Sequence, residues 1–252
     1  MEKVNLFNIL IDNVRMAEAL NLIKYSIDKK EKRKIYFVNA DCFNKIFKDS
    51  SYYSVLKRGH YVFGDGSGVR LGGKITNQKI IDNVNGTDML PLLAKMCEEN
   101  RYSLFLLGAK EGVAKKASEN LVNDNHDLII AGTYQGFFDK KKESSKIIEI
   151  INGAKADVLL VAFGAPYQER WIDEFYDALN VPVMIGVGGL FDFFSGSIPR
   201  APRWMRVLGI EWIFRLMQEP KRMWRRYIIG NPQFVFRVLK WKMTGEGDIY
   251  ND

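Results

Sequence analysis

Short apolar runs punctuate the chain as far as Val187: Ile35–Val38, Tyr61–Phe63, Leu104–Leu107, Leu128–Ala131, Val158–Ala162 and Val183–Val187. Between them apolar residues recur at helical spacing, as in Met89–Glu99, Val113–Leu121 and Ile147–Ile151, with starts marked by Thr87-Asp88, Lys110-Glu111 and Glu143. Runs this short, apolar throughout rather than alternating, belong to strands covered on both faces. The alternation predicts an α/β fold of βα units around an open, mostly parallel sheet with helices on both faces.

After Ser197 the texture changes. Pro199, Pro202, Pro220 and Pro232 are expected to divide the tail into pieces of roughly ten to fifteen residues, each long enough for an amphipathic helix but too short to cross a bilayer. From Trp204 onward, Val207, Leu208, Trp212, Ile213, Leu216 and Met217 repeat at helical spacing, and Glu211 with Arg215 forms an i,i+4 pair. Residues 1–197 are therefore expected to form the core, 198–242 a helical appendage and 243–252 a flexible tail.

Charge sharpens that division. Eleven Lys and Arg lie between Ile198 and Lys242, opposed only by Glu211 and Glu219, so this stretch carries +9 in a chain whose total is +7. It also holds four of the five tryptophans. A basic, aromatic tail on a near-neutral body suits an anionic membrane surface, or closure over a polyanionic ligand. The same features leave a nucleic-acid-binding module as a rival reading, which predicts oligonucleotide affinity that falls steeply with salt. An exposed apolar tail is also expected to let protomers pair in solution.

With 252 residues and 47% hydrophobic content the chain can bury one large core. Cys42 and Cys97 stand far apart without ligand-like spacing, which argues against a disulfide framework or a zinc site and for a reducing compartment. Neither a secretory leader nor an apolar run of about eighteen residues is evident, so no span is expected. His60 and His126 lack neighbouring ligand residues, and no Asp-x-Asp triplet is present; neither metal-dependent chemistry nor a cofactor is expected.

The positions just after the apolar runs carry the candidate chemistry. They read Asn39-Ala40-Asp41, Gly64-Asp65-Gly66-Ser67-Gly68, Gly108-Ala109, Gly132-Thr133, Gly164-Ala165-Pro166 and Gly186-Val187-Gly188-Gly189. In open α/β sheets ligands bind at the carboxyl ends of strands, where glycine lets a nucleotide approach the backbone; these turns suggest one shared cleft, although glycine also simply makes tight βα turns. Asp65, flanked by Gly64 and Gly66, is the candidate general base, against the alternative of an aspartate serving a glycine turn. The spacing of Gly64, Gly66 and Gly68 is an incomplete dinucleotide loop and follows the wrong strand, which counts against a nicotinamide-dependent oxidoreductase. Arg215, Arg222, Arg225 and Arg226 are candidates to hold a diphosphate, or else to meet solvent or lipid headgroups.

Several blocks resemble the successive motifs of the WecG/TagA/CpsF glycosyltransferases: Phe63-Gly-Asp-Gly-Ser-Gly-Val, Val84-Asn-Gly-Thr-Asp-Met-Leu, Gly164-Ala-Pro-Tyr-Gln-Glu-Arg-Trp, Gly186-Val-Gly-Gly-Leu-Phe-Asp, Gly209-Ile-Glu-Trp-Ile-Phe-Arg-Leu and Glu219-Pro-Lys-Arg-Met-Trp-Arg-Arg-Tyr. They run in order from about Leu6 to Leu239. The resemblance implies a Rossmann-like core and an inverting, metal-independent enzyme that moves a sugar from a UDP donor to an undecaprenyl-diphosphate-linked acceptor, peripherally on the cytoplasmic membrane face. It implies Asp65 as base, Arg215, Arg222 and Arg225 as diphosphate ligands, and Asn39, Asn85, Gln168 and Asp192 in the substrate pocket beside Gly66, Gly68, Gly108, Gly164, Ala165, Gly186 and Gly188.

The chain departs from the family pattern where many members read Thr-Pro-Asn, here Phe37-Val38-Asn39, and Arg, here Asn83. It departs again at Tyr134-Gln135-Gly136-Phe137-Phe138, where His-His-Gly-Tyr-Phe is common. These positions bear on the transferred sugar: N-acetylmannosamine is the first expectation, its uronic acid or glucose the alternatives.

Overall fold

A computed structural model describes residues 1–245, 249 and 250. Of the tail expected to be flexible, residues 246–248, 251 and 252 therefore lie outside the described residues. The chain opens with a hairpin, β1 (Lys3–Leu6) and β2 (Ile9–Asp12), followed by α1 (Met16–Asp28), β3 (Arg33–Val38), α2 (Ala40–Ile46), α3 (Ser50–Lys57) and β4 (Tyr61–Gly64). Next come α4 (Ser67–Ile75), α5 (Gly86–Asn100), β5 (Ser103–Gly108), α6 (Val113–Asp124), β6 (Ile129–Tyr134), α7 (Ser144–Ala154) and β7 (Val158–Ala162). The core ends with α8 (Tyr167–Glu174), β8 (Val183–Gly186) and α9 (Leu190–Phe194). The tail forms α10 (Arg203–Val207), α11 (Glu211–Gln218), α12 (Pro220–Trp224), a π turn at Arg225–Ile229 and α13 (Gly230–Met243).

Six strands pair in the order β4-β3-β8-β7-β5-β6, and every pairing is parallel. Successive residues of one strand enter opposite layers. Leu159 and Val161 pack with Phe43, Trp171 and Phe234, whereas Val158 and Leu160 pack with Ile23, Leu93 and Leu121. Both faces of the sheet are thus covered, which is why its strands read as unbroken apolar runs.

Two expectations are corrected by the structure, and one element is added to them. β6 runs past Leu128–Ala131 to Tyr134, so Gly132 and Thr133 lie within a strand rather than in a turn after it. β6 has β5 as its single neighbour and stays partly exposed, so its polar end continues the ladder after the apolar run stops; a Cβ at Gly132 would come within 2.6 Å of the Phe105 ring. The β1–β2 hairpin has no counterpart in the sequence reading, because its two-residue turn places Phe7 and Asn8 in the left-handed region (φ 56° and 59°), and phenylalanine is not a turn signal. Pro232 ends nothing: it lies inside α13, downstream of the π turn, whose wider backbone spacing lets the helix run on past a residue with no N–H.

The tail is also not uniform. Helices α10 and α11 leave Trp204, Val207, Leu208 and Met217 exposed, whereas α13 sends Phe234, Val238 and Trp241 into the layer that also holds Phe7 and Phe43. Buried polar contacts fix its start: Asn44 Nδ2 donates to the Gly230 carbonyl at 2.7 Å, and Arg237 donates to the Asn44 side chain at 2.8 Å.

Candidate active site

The carboxyl ends of β3, β4, β7 and β8 open into one cavity of about 640 Å³. It receives Asn39, Asp65, Gly164, Ala165, Gln168, Gly186 and Gly188 from the core. Arg215, Arg222, Arg225 and Arg226 reach it from the tail. Four strand ends and the appendage therefore converge, as ligands in open α/β sheets require.

Asp65 owes its place to the backbone around it. Its N–H donates to the Val38 carbonyl at 2.8 Å, which prolongs the β3–β4 pairing by one residue. Gly66 then turns away at φ +90°, a conformation that side chains disfavour, and its N–H donates to Asn83 Oδ1 at 2.7 Å. Asn39 caps α2 by accepting from the N–H groups of Asp41 and Cys42, while its Nδ2 faces Asp65 Oδ2 at 3.5 Å. Burial pushes the Asp65 carboxyl above the usual carboxylate range; Arg226, Asn39 and Arg215 hold part of that rise back. A carboxylate so placed is a stronger base than one in water.

The guanidinium groups reach the cavity by different routes. Arg215 lies over the Phe193 ring, 4.8 Å from its centroid, and its buried Nε has no partner among the described residues. Arg222 is paired with Glu219. Arg225 and Arg226 sit on the π turn, and the latter comes within 3.8 Å of Asp41. Asp88, next to the Asn85 cap of α5, clasps Arg200 at 2.6 Å and Arg206 at 3.5 Å, tying α10 to the core.

Other expected site residues are dispersed around this centre. Gly66, Gly68 and Asn85 face a smaller adjoining cavity, and Asp192 lines a third beside Phe163 and Tyr167. Gly108 lines none of these cavities. A Cβ there would approach the Ala162 carbonyl to 2.5 Å, so its place is a close contact between neighbouring strands. Gln168 is held at both ends: Oε1 accepts from Gly164 N–H at 3.1 Å and Gly188 N–H at 2.7 Å, and Nε2 donates to Glu169 at 2.8 Å. It braces the turns after β7 and β8.

Glu169, Thr87, Phe193 and Glu211 were not expected at the site, since none follows a strand directly and Glu169 reads as one more helical charge. Glu169 is completely buried, its Oε2 has no partner among the described residues, and burial raises its pKa to about 7. Because the folded value lies above the unfolded one, the native state holds this proton more tightly. The stabilisation is full below 4.5, the ordinary value for glutamate, and is lost as pH rises from there through about 7. Glu169→Gln keeps the acceptor for Gln168 and removes the titration. Urea melts from pH 4.5 to 8 should show the parent losing about 3 kcal/mol more than the variant across that window; parallel pH profiles would contradict the assignment.

A parallel sheet whose carboxyl edge opens into a cleft lined by carboxylates and by arginines from the tail defines an α/β protein built to hold an anionic ligand. The sequence matches the model of the Glycosyl transferase WecG/TagA/CpsF family over residues 4–247, and the chain belongs to that family of glycosyltransferases. It is 31% identical over 241 residues to the N-acetylglucosaminyldiphosphoundecaprenol N-acetyl-beta-D-mannosaminyltransferase of Bacillus subtilis (strain 168), covering 95% of this chain and 92% of that one. To the protein of the same name from Staphylococcus aureus (strain MW2) it is 28% identical, over 95% and 93% of the two chains.

Proposed function

We propose that the chain transfers a sugar, with inversion, from a UDP donor to a polyprenyl-diphosphate-linked acceptor. The names of its relatives make N-acetylmannosamine and lipid-linked N-acetylglucosamine the first assignment. The observation that carries this reading is the carboxylate Asp65 in a cavity that four tail arginines also enter; of the other two carboxylates lining it, Asp41 is held by Lys45 and Glu169 accepts from Gln168. Asp65 takes the proton of the acceptor hydroxyl as its oxygen bonds to the anomeric carbon. The bond from that carbon to the diphosphate breaks, and its electron pair leaves on UDP. Guanidinium groups rather than a metal ion meet the charge that develops there, because each donates two parallel hydrogen bonds to phosphate oxygens. The bare backbone at Gly164, Gly186 and Gly188 suits the approach of the nucleotide.

Among the described residues no helix is long and apolar enough to cross a membrane. The exposed Trp204, Val207, Leu208 and Met217, set among basic residues worth about 1 kcal/mol each at an anionic leaflet, suit peripheral docking on the inner membrane face, where a lipid-linked acceptor would be met.

A panel of UDP-sugars offered with a short-chain prenyl-diphosphate N-acetylglucosamine, scored by product mass, tests this reading. The expected product gains one N-acetylhexosamine. Gain of a uronic acid or a glucose would reassign the donor. Absence of any product, together with salt-sensitive oligonucleotide binding, would favour the nucleic-acid module instead.

A further inference from the structure

Asp65 lines two cavities, not one. Beside the larger space lies a smaller one of about 170 Å³ that borders it along a shared set of residues, among them Asn39, Asp41, Asp65, Phe193, Arg215 and Arg226. At roughly 30 Å³ per water this space is worth about five or six waters, enough for a single sugar ring and too little for a nucleoside diphosphate.

We infer that the smaller cavity is the acceptor subsite, taking the sugar ring of a lipid-linked glycosyl diphosphate with its reacting hydroxyl turned to Asp65. This rests on the transferase reading above and adds which residues recognise the second substrate. The walls suit a sugar: Trp212, its ring 5.8 Å from that of Tyr227, presents an apolar face to C–H groups, while Glu211 and Asn231 supply polar atoms for hydroxyls. The Trp212 indole, the Asn231 carboxamide and the Glu211 carboxylate make no hydrogen bond among the described residues; Glu211 has only Arg200 at 3.8 Å.

The rim fits the rest of such an acceptor. Arg206 lines this cavity while its Nη1 lies 3.5 Å from Asp88, so a guanidinium held by the core borders the space for the acceptor's own diphosphate. Gly209, also in the lining, directly follows Leu208, which is exposed along with Trp204 and Val207, giving the lipid an apolar edge to leave by. With the leaving group in the larger space and the nucleophile in the smaller, Asp65 borders both and can take the hydroxyl proton as the new bond forms and the bond to UDP breaks.

Two variants test the assignment, Trp212→Ala, which removes the apolar wall, and Asn231→Leu, which fills the space. With a soluble short-chain prenyl-diphosphate sugar as acceptor, each is expected to raise the acceptor KM about tenfold, the ratio that one well-made contact supplies. Trp212→Phe should recover most of the loss. UDP affinity by calorimetry and the donor KM for slow UDP-sugar hydrolysis should stay at parental values. A rise in donor KM with acceptor KM unmoved, or no change in either, overturns the assignment while leaving the transferase reading intact. Failure of the parent chain to bind UDP overturns both.

Discussion

Asp65→Asn is expected to lower turnover by about 10²–10⁴, the range that a positioned general base supplies, with UDP affinity and unfolding midpoint close to parental. The substitution is nearly isosteric, and it removes the only carboxylate that faces both the arginine-lined cavity and the space beside Trp212 among the described residues apart from Asp41, which is already paired with Lys45 at 2.7 Å. The raised pKa of Asp65 makes the effect larger than for a solvated aspartate, since burial gives the carboxylate a higher affinity for the proton it takes. Single-turnover rates with saturating donor isolate the chemical step. An Asn variant with near-parental turnover would end the base assignment.

Phe234→Ala is expected to cost about 3–5 kcal/mol of stability, the usual loss when a fully buried aromatic ring is truncated. Phe234 is 1% exposed and lies 5.7 Å from the ring of Phe43 and 6.3 Å from that of Phe7. A Cβ at Gly72 would meet its ring edge at 3.0 Å, so the ring packs directly on the backbone of α4 and its removal leaves a void there. Urea unfolding of the variant and the parent measures the loss. A cost below about 1 kcal/mol would mean that α13 is an attached arm and not part of the shared core. The catalytic consequence follows from position: α13 begins at the π turn that carries Arg225 and Arg226, so loosening its packing also releases those guanidiniums from the cleft.

This shared core bears on the boundary expected at Ser197. A chain cut there loses Phe234, Val238 and Trp241 from a layer built around Phe7 and Phe43. Its inactivity would therefore report on folding as well as on the arginines. Point changes in α11 and the π turn separate the two.

Local pattern was enough for the parallel sheet, because strands covered on both faces must be apolar throughout, and Val158–Ala162 is apolar at every position. It also made Asp65 a candidate, since a carboxylate between glycines at the end of a strand has a location that the fold class implies, although an aspartate serving a glycine turn fits the same pattern. The charge contrast between body and tail was likewise visible, because net charge is additive along a chain.

Whatever depends on residues distant in sequence was decided only by packing. Gln168 is expected to line the substrate pocket, yet its carboxamide is also held by Gly164, Gly188 and Glu169. Glu169 reads as a surface charge on a helix, yet it has no solvent exposure. α13 reads as part of an appendage, yet it completes the core, and Asp65 serves two cavities because α11 arrives from nearly 150 positions further along the chain to form the second. Periodicity and local charge report on neighbours within a few residues. Burial, cavity walls and the electrostatic surroundings of a carboxylate depend on which distant segments meet, and only the folded chain brings these together.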